Sequence, residues 1–196
     1  MTTDPSGFER LYQERDDPWE FATSPYEQAR YATTVQALGS QRFTRAFEPG
    51  CSVGVLTAML AERCGELVAC DVSPTACAAA RRRTAAATNV QIVNASTSAW
   101  WPDGSFDLVV LSELGYYWNP MGVAELAERT DASLEEQGVV LAVHWLGHSD
   151  DHAQHGAAVH DQLEQVLGRP ELRTDVDPLH TGDPAQMFVI ERWRRG

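Results

Sequence analysis

Basic residues are scarce in this chain of 196 residues. Lys and Arg together number 15 against 28 Asp and Glu, and the formal net charge is −13. Proteins that bind nucleic acids draw much of their affinity from basic side chains that neutralise phosphates. The charge therefore disfavours DNA and RNA as partners. An acidic surface suits neutral or cationic small molecules instead.

Membrane and export signals are also missing from the sequence. No apolar run approaches the roughly 18 residues that suggest a membrane helix. Residues 1–14 show no basic patch followed by an apolar stretch, so we expect no signal peptide. These absences predict a cytoplasmic protein without membrane contact.

No linker rich in Pro, Gly or Ser divides the chain, and no internal repeat is visible. Because the length suits one domain, we predict a single domain over residues 1–196. Residues 1–40 are expected to form an N-terminal lid segment, and residues 43–193 an α/β core. The sequence leaves a monomer and a homodimer equally open.

Cysteine is limited to Cys51, Cys64, Cys70 and Cys77, without the paired C-x-x-C spacing of a zinc site. Their apolar surroundings predict reduced thiols that serve as small core residues. The alternative is a catalytic thiol, for which Cys51 is the best candidate. It follows a glycine at the start of a predicted helix, where thiol pKa values fall.

Turn and helix signals organise the first forty residues. Asp16–Trp19 is predicted as a turn. A helix is expected to begin after Ser24 as N-cap, with Pro25 in the first turn and Glu27 three residues after the cap. This helix is predicted to stop near Gly39.

Apolar strands alternate with helices in the rest of the chain. Predicted strands cover 45–48, 67–70, 90–93, 106–111 and 139–143, and a closing antiparallel pair covers about 172–175 and 187–193. Predicted helices follow residue 52 and cover about 73–87, 120–136 and 152–167, and Gly138 is predicted as a turn. Continuous apolar strands between helices indicate a parallel sheet covered on both faces. We therefore predict an open, doubly wound α/β domain whose ligand site lies at the carboxyl ends of the strands.

Three predicted strand ends carry the parts of a nucleoside site. A glycine turn, residues 47–54, follows the first strand, and Gly50 and Gly54 let the backbone approach a ligand closely. Asp71 ends the second strand, 17 positions after Gly54, close to the roughly 20 that place an acid on a ribose hydroxyl pair. Residues 94–97 follow the third strand, where an adenine edge would lie. The alternatives are a plain tight connection for the turn and a helix cap for Asp71.

With these residues in this order, the sequence resembles the class I S-adenosylmethionine-dependent methyltransferases over about residues 43–193. The segment Glu48-x-Gly50-Cys51-Ser52-x-Gly54 is similar to their first motif, and Asp71 matches their ribose acid. Ser52 stands where the family has its second glycine, so it must keep a backbone geometry that glycine allows. Ser96 stands where the family has an acid that contacts adenine.

The resemblance implies S-adenosylmethionine as the cofactor and methyl transfer as the reaction, with no metal. We predict cofactor contacts at Trp19, Tyr26, Arg30, Glu48, Gly50, Cys51, Ser52, Gly54, Asp71, Val72, Ser96, Thr97 and Ser112.

Three further segments are similar to the nodulation protein S family. They are residues 17–27, 111–117 and 143–145, with the sequences DPWEFATSPYE, LSELGYY and VHW. Nodulation members N-methylate an amino sugar at the end of a chitooligosaccharide. The resemblance implies a seven-stranded sheet of order 3-2-1-4-5-7-6. It also implies N-methylation of an amine of a small molecule, with amino sugars and aminocyclitols as candidate acceptors.

Glu113 and His144 end the fourth and fifth predicted strands, where the acceptor would sit. An amine acceptor must present a lone pair, so a nearby group must bind or remove its proton. We predict that Glu113 holds the amine and that His144 accepts its proton or orients it. Tyr116 and Tyr117 are predicted to line the site. The alternatives are a helix-start carboxylate for Glu113, a hydrogen-bonded wall residue for His144, and core packing for the tyrosines.

The N-terminal segment offers a candidate lid over the cofactor, formed by Trp19, Tyr26, Arg30 and Tyr31. Arg30 lies one turn after Tyr26, and its guanidinium suits the methionine carboxylate. The alternative is a surface arginine paired with Glu27.

A run of metal-ligating residue types lies between the fifth strand and the next helix: His148, Asp150, Asp151, His152 and His155. His152 and His155 are spaced so that they could share one helix face. The segment reads equally as a polar loop in which Asp150 or Asp151 caps the next helix. We predict no metal and expect this loop, with His160, to form part of the acceptor pocket.

Two other functions remain open. The first is a small-molecule O-methyltransferase with His144 as the base. The second is a catalytically silent regulatory or scaffold protein that binds the cofactor. Ser52 and Ser96, which depart from the family's motifs, would indicate such a loss of activity. A nicotinamide dehydrogenase is disfavoured because Gly-x-Gly-x-x-Gly is absent.

Overall fold

The computed structural model describes residues 5–196. Residues 1–4, which begin the predicted lid segment, lie outside the described residues. The chain divides into two compact units, with the boundary between Asp103 and Gly104. The single domain expected over residues 1–196 stays a prediction.

The first unit contains three parallel strands and the helices between and before them. Its elements are α1 Pro5–Glu14, α2 Pro25–Gln36, β1 Phe43–Pro49, α3 Val55–Ala61, β2 Cys64–Asp71, α4 Pro74–Arg83 and β3 Val90–Asn94. Pro49 pairs with Cys70 across β1 and β2, and Asp71 pairs with Asn94 across β2 and β3. The carboxyl ends of the three strands therefore lie together at one edge, where the sequence predicts the nucleoside site.

The second unit contains the remaining strands. Its elements are β4 Phe106–Ser112, a 3₁₀ turn at Gly115–Tyr117, α5 Pro120–Ser133, β5 Leu134–Trp145, α6 Gly156–Leu167, β6 Leu172–Val176, a 3₁₀ turn at Pro184–Gln186 and β7 Phe188–Arg194. β4 pairs in parallel with β5, whereas β7 is antiparallel to both β5 and β6. The closing antiparallel pair is therefore confirmed.

The seven strands form one sheet in the order β3-β2-β1-β4-β5-β7-β6. This confirms the predicted doubly wound α/β class and the predicted strand order. The central strands read as continuous apolar runs because both of their faces are covered. Residues 108–111 and 139–143 are accordingly buried almost completely.

Several boundaries differ from the sequence-based predictions. α1 was not predicted, and α4 ends at Arg83 rather than near residue 87. Gly138 lies inside β5, next to an irregularity in the β4–β5 register, and not in a turn. Ser24 precedes α2 as expected, but its side chain makes no capping hydrogen bond.

The start of α6 also differs from the prediction. The helix begins at Gly156, with the Nδ1 atom of His155 accepting from the Ala157 amide, so capping by Asp150 or Asp151 is wrong. Among residues 5–196, no helix combines the length and the apolar character needed to cross a membrane.

Candidate functional site

Backbone hydrogen bonds hold the glycine turn after β1 against the end of β2. The amides of Gly50 and Cys51 both donate to the Cys70 carbonyl, at 2.7 and 2.9 Å. Ser52 has a φ of 49°, the left-handed backbone that its place in the motif requires. Gly54 also has a positive φ, and a Cβ there would lie 2.9 Å from both the Cα and the Cβ of Ala80 on α4. The turn therefore needs a glycine at position 54. Ser52, by contrast, adopts its positive φ although it carries a side chain.

Asp71 joins this turn to the start of α4. Its carboxylate accepts the Ser52 amide and the Ser73 amide, each at 2.9 Å. Burial raises the pKa of Asp71, and these backbone hydrogen bonds oppose the shift. The N-cap of α4 is Ser73, whose Oγ accepts from Ala76, so the helix-cap alternative for Asp71 is not found. A carboxylate has about four lone-pair sites, so Asp71 can accept a ligand hydroxyl beside these backbone amides.

Glu48 is a buried carboxyl group near the end of β1, only 3% exposed. Burial raises its pKa to about 8, the nearby Thr57 hydroxyl on α3 opposes the shift, and the charge of Asp71 adds to it. Its Oε2 atom has no hydrogen-bond partner. Buried polar atoms are nearly always paired, so an unpaired carboxyl oxygen beside the glycine turn indicates a place for a ligand's donor group.

Helix α1 contacts the same turn, although sequence analysis did not identify it. The Tyr12 hydroxyl donates to Ser52 Oγ at 2.5 Å. The Glu9 carboxylate accepts from the Ser73 hydroxyl at 2.5 Å and from the Thr75 hydroxyl at 2.6 Å, and these bonds lower the pKa of Glu9. The partners lie 40 or more positions away in the chain, so no local pattern reveals them.

Aromatic side chains connect α1 to the predicted lid residues. Trp19 contacts Tyr12 edge-on at 5.5 Å between ring centroids and stacks on Phe21 at 5.7 Å. Tyr31 is buried and lies 6.0 Å from Phe21. Tyr26 lies in the first turn of α2. A lid role for these aromatics stays a prediction.

Arg30 is completely buried on α2. Its Nε donates to the Glu27 carboxylate at 3.0 Å, its Nη2 contacts the same oxygen, and its guanidinium lies 4.6 Å from the Tyr31 ring centroid. The pairing with Glu27 that the alternative proposed is therefore present, but its surface location is wrong. Binding of a ligand carboxylate by Arg30 stays a prediction.

The end of β3 is tied to the end of β2 by Asn94. Its side-chain amide donates to the carbonyls of Asp71 and Val72, at 3.0 and 2.9 Å. The position of Asn94 in the predicted adenine segment does not reveal this connecting role, because both partners lie more than 20 positions earlier in the chain. In the same segment Ser96 Oγ lies 2.8 Å from Ser98 Oγ, and Thr97 is buried.

In the second unit, Glu113 follows β4 in a left-handed conformation, with a φ of 55°. Its carboxylate accepts the Trp145 amide at 2.9 Å and also contacts the Tyr116 hydroxyl. The structure thus brings two predicted acceptor residues, Glu113 and Tyr116, into direct contact. The helix-start alternative for Glu113 is not found, because the residue before the 3₁₀ turn is Leu114.

His144 lies at the end of β5 and is 1% exposed. Its Nε2 accepts the Gly115 amide at 3.0 Å, and its Nδ1 lies 3.0 Å from Nε2 of His160. Both ring nitrogens therefore have protein partners. The predicted role of proton acceptor does not agree with this geometry, which favours the orienting role or the hydrogen-bonded wall residue.

The two tyrosines after β4 pack against the loop that precedes α6. Tyr116 stacks on His152 with ring centroids 3.9 Å apart, and Tyr117 contacts both rings edge-on. Burial raises the pKa of Tyr117 and lowers that of His152. Ser112, a predicted cofactor contact, is the last residue of β4.

The loop before α6 contains a cavity of about 180 Å³, lined by residues that include His148, His152 and His155. His152 and His155 both precede α6, so the helical pair considered for metal binding is not formed. In the part of the chain that the structure describes, no three His, Cys, Asp or Glu residues are grouped to hold a metal ion.

The four cysteines are buried and unpaired with one another. Burial raises the pKa of the Cys51 thiol well above its ordinary value, and the charges of Asp71 and Glu48 act in the same direction. The lowered pKa considered for a catalytic Cys51 is therefore wrong. The thiols pack as small core residues, as predicted.

The strand order, the glycine turn after β1 and the acid at the end of β2 define the fold of the class I methyltransferases. The profile of the family described as Nodulation protein S (NodS) matches residues 8–135. Since this match covers more than half of the chain, the protein belongs to the nodulation protein S family.

Individual relatives agree with this assignment. Nodulation protein S of Bradyrhizobium diazoefficiens is 37% identical over 105 residues, which are 52% of this chain and 49% of that protein. The match thus spans about half the length of this curated relative. A putative methyltransferase from Pseudomonas syringae is 36% identical, with a TM-score of 0.72, and the match covers 87% of this chain and 99% of that one.

The N-methyltransferase NodS from Bradyrhizobium japonicum WM9, solved in complex with S-adenosyl-L-homocysteine, shares the fold. Its TM-score is 0.85 at 20% identity, with 97% of this chain and 98% of that chain covered.

Proposed function

We propose that the protein is an S-adenosylmethionine-dependent N-methyltransferase that acts on an amine of a small molecule. The observation that carries the proposal is the buried, unpaired Oε2 of Glu48 beside a left-handed glycine turn and Asp71. S-adenosylmethionine offers an ammonium group and two ribose hydroxyls, which are the donors that two carboxyl groups accept. The relative solved with S-adenosyl-L-homocysteine is itself described as an N-methyltransferase, which supports the same cofactor.

In this proposal Glu48 binds a donor of the methionine part, and Asp71 binds the ribose while it holds the Ser52 amide. The other proposed cofactor contacts are Trp19, Tyr26, Arg30, Gly50, Cys51, Gly54, Val72, Ser96, Thr97 and Ser112.

When bound, S-adenosylmethionine supplies a methyl group on a positively charged sulfur. The protein's own task is then to position the acceptor and to manage its proton. We assign the amine to the Glu113 carboxylate, which is preorganised by the Trp145 amide and the Tyr116 hydroxyl. An anionic group held in this way can bind an ammonium and orient it before its proton leaves.

Two observations, the net charge and the family, support the proposed acceptor class. A net charge of −13 favours a cationic small molecule, and amino sugars and aminocyclitols are the first candidates. The cytoplasmic location and the choice between monomer and homodimer stay predictions.

The structure lends little support to the alternatives. An O-methyltransferase would need His144 as base, but the Nε2 of that residue accepts the Gly115 amide. The replacement of glycine by Ser52, considered a sign of a silent scaffold, keeps the left-handed backbone that the turn requires.

Calorimetric titrations with S-adenosylhomocysteine and, separately, with NADH test the cofactor. Micromolar binding of S-adenosylhomocysteine alone is expected. Binding of NADH, or of neither compound, would overturn the cofactor assignment. Methyl transfer is then measured on amines, with a chitooligosaccharide that carries a terminal glucosamine as the first probe and its N-acetylated form as control. Turnover that rises with pH through the pKa of the amine supports N-methylation.

A further inference from the structure

A chain of hydrogen bonds runs through the buried interior of the second unit, behind the acceptor residues. The Gly115 amide donates to Nε2 of His144, and Nδ1 of His144 faces Nε2 of His160, both at 3.0 Å. Nδ1 of His160 faces Oε2 of Glu191 at 2.7 Å. The three side chains are at most 1% exposed. All three lie beyond residues 8–135, which the family profile matches.

The backbone amide at one end determines every proton position in this chain. Because an amide N–H can only donate, Nε2 of His144 carries no proton, and the proton of its neutral ring is on Nδ1. That proton is donated to Nε2 of His160, whose own proton is then on Nδ1 and is donated to Glu191. Both imidazoles are neutral Nδ1–H tautomers, and Glu191 is an acceptor at the far end.

Arg173 on β6 secures Glu191 as a carboxylate. Its Nη1 donates to the second oxygen, Oε1, at 2.7 Å, and it also lies 3.9 Å from Asp161 on α6. A completely buried carboxylate stays ionised only with such a partner. The charged pair therefore sets the direction of the hydrogen bonds from one end, and the Gly115 amide sets it from the other.

Packing leaves the turn at Gly115 no room to adjust. A Cβ on this residue would lie 2.4 Å from a methyl group of Val159 on α6 and 3.2 Å from Nε2 of His144. Glu113 and Tyr116, the proposed acceptor residues, lie on either side of Gly115 in the chain. A shift of the Gly115 amide therefore moves the carboxylate and the hydroxyl that hold the amine.

We propose that His160 and Glu191 are positioning residues for the acceptor turn, residues 113–117. They hold His144 in the tautomer whose Nε2 anchors the Gly115 amide. The proton order is independent of the reaction, whereas its effect on turnover rests on the proposed function.

A proton added to either histidine would disrupt the hydrogen bonds from Gly115 to Glu191. A proton on Nε2 of His144 opposes the Gly115 amide, and one on Nε2 of His160 opposes the Nδ1–H of His144. The charged and titratable groups that face the chain are Glu191 on β7, Arg173 on β6, Asp161 on α6, and, across Tyr116, Glu113 and His152.

Three variants distinguish an effect of the proton positions from an effect of altered packing. His160→Gln can offer an acceptor oxygen to His144, whereas His160→Asn is too short to reach it. In Glu191→Gln, Arg173 attracts the amide oxygen, so the amide NH₂ faces His160 and reverses both tautomers. His180→Asn, at an exposed loop residue, is the control.

Long-range ¹H–¹⁵N spectra of the full chain identify the tautomers of His144 and His160. Amide hydrogen exchange measures how well the hydrogen bond to His144 protects the Gly115 amide. We expect Nδ1–H tautomers for both histidines, and exchange of the Gly115 amide that is about tenfold or more faster in His160→Asn and Glu191→Gln. His160→Gln and the control are expected to stay close to the wild-type rate. An Nε2–H tautomer on His144, or equal Gly115 exchange in all variants, would overturn the proposal.

Turnover with the terminal-glucosamine probe tests the functional part. We expect kcat to fall about 10- to 100-fold in Glu191→Gln, with unchanged affinity for S-adenosylhomocysteine and with recovery in His160→Gln relative to His160→Asn. An unchanged kcat in Glu191→Gln would overturn the positioning role. If the wild-type protein methylates no amine while the tautomers are as expected, the proposed function fails and the proton order stands.

Discussion

The Tyr12 hydroxyl donates a hydrogen bond of 2.5 Å to Ser52 Oγ, across 40 positions of the chain. Ser52 is the residue that replaces a glycine of the methyltransferase motif, and its amide donates to Asp71. Its backbone is thus held by the end of β2 and its side chain by α1. A glycine at this position would leave α1 without this bond.

The pair Tyr12 and Ser52 should show direct energetic coupling. In a double-mutant cycle of Tyr12→Phe and Ser52→Ala, we expect a coupling of about 1 kcal/mol in the free energy of unfolding, since each single variant already removes the bond. Urea unfolding of the four proteins measures it. Strictly additive losses would show that the hydroxyls do not interact in solution.

Ser52→Gly should reveal the cost of the left-handed backbone. In the Tyr12→Phe background the hydrogen bond is gone, and glycine should stabilise the protein by about 1 kcal/mol because it adopts a positive φ without the Cβ clash. In the wild-type background the gain should be smaller, because the bond to Tyr12 is lost. Equal gains in the two backgrounds would contradict this account.

Asp71→Asn should weaken binding of S-adenosylhomocysteine. Asp71 accepts two backbone amides, and an asparagine must turn its NH₂ group toward one of them. We expect a loss of about 1–3 kcal/mol in binding free energy by calorimetry. Asp175→Asn in β6 is the control. Unchanged affinity in Asp71→Asn would argue against the ribose role.

Glu48 should make the protein less stable as pH rises. Burial raises the pKa of Glu48 in the folded state to about 8 from 4.5, so between these values the folded protein holds a proton that the unfolded chain releases. The contribution of protonated Glu48 to the free energy of unfolding is therefore complete below the pKa of the unfolded chain, 4.5. It is lost as pH rises through the pKa of the folded protein. The slope is at most about 1.4 kcal/mol per pH unit.

Urea unfolding of wild type and Glu48→Gln at about pH 5, 6, 7 and 8 measures this slope. We expect a flatter profile in Glu48→Gln than in wild type. Glu62→Gln, at an exposed residue after α3, is the control and should follow wild type. Parallel profiles for wild type and Glu48→Gln would mean that Glu48 keeps an ordinary pKa when folded.

Glu113→Gln should separate cofactor binding from turnover. The amide keeps the size of the side chain but removes the negative charge that holds the ammonium, so we expect turnover to fall about 100-fold. Affinity for S-adenosylhomocysteine should not change, and the exposed Glu136→Gln is the control. An equal loss of affinity and turnover would place Glu113 at the cofactor.

The fold could be predicted because its signals are local. Apolar strands of four to eight residues bounded by turns indicate a parallel sheet, and Ser73-Pro74 marks the start of α4 directly. The left-handed backbone at Ser52 could also be anticipated, because a motif position requires it. Helix α1 could not, because what holds it is the contact of Glu9 and Tyr12 with residues far along the chain.

In the candidate site, too, some features have local sequence signals and others depend on distant contacts. The order of Glu48, the glycine turn and Asp71 can be predicted from the sequence, because each of them belongs to a strand–turn–helix unit. The role of His144 is not, because a histidine at a strand end can donate, accept or do both. Its partners, Gly115 and His160, come from other elements.

The sequence by itself determined the parallel α/β class, the glycine turn and the candidate acids, because periodicity and turn chemistry act over a few neighbouring residues. The strand order was implied by the resemblance to the nodulation protein S family. Tertiary structure alone decided which of these groups are buried, which are paired, and where protons reside. Those properties depend on desolvation and on hydrogen-bond direction. Both arise only when α1 meets the glycine turn and when β5, α6 and β7 enclose His144 and His160.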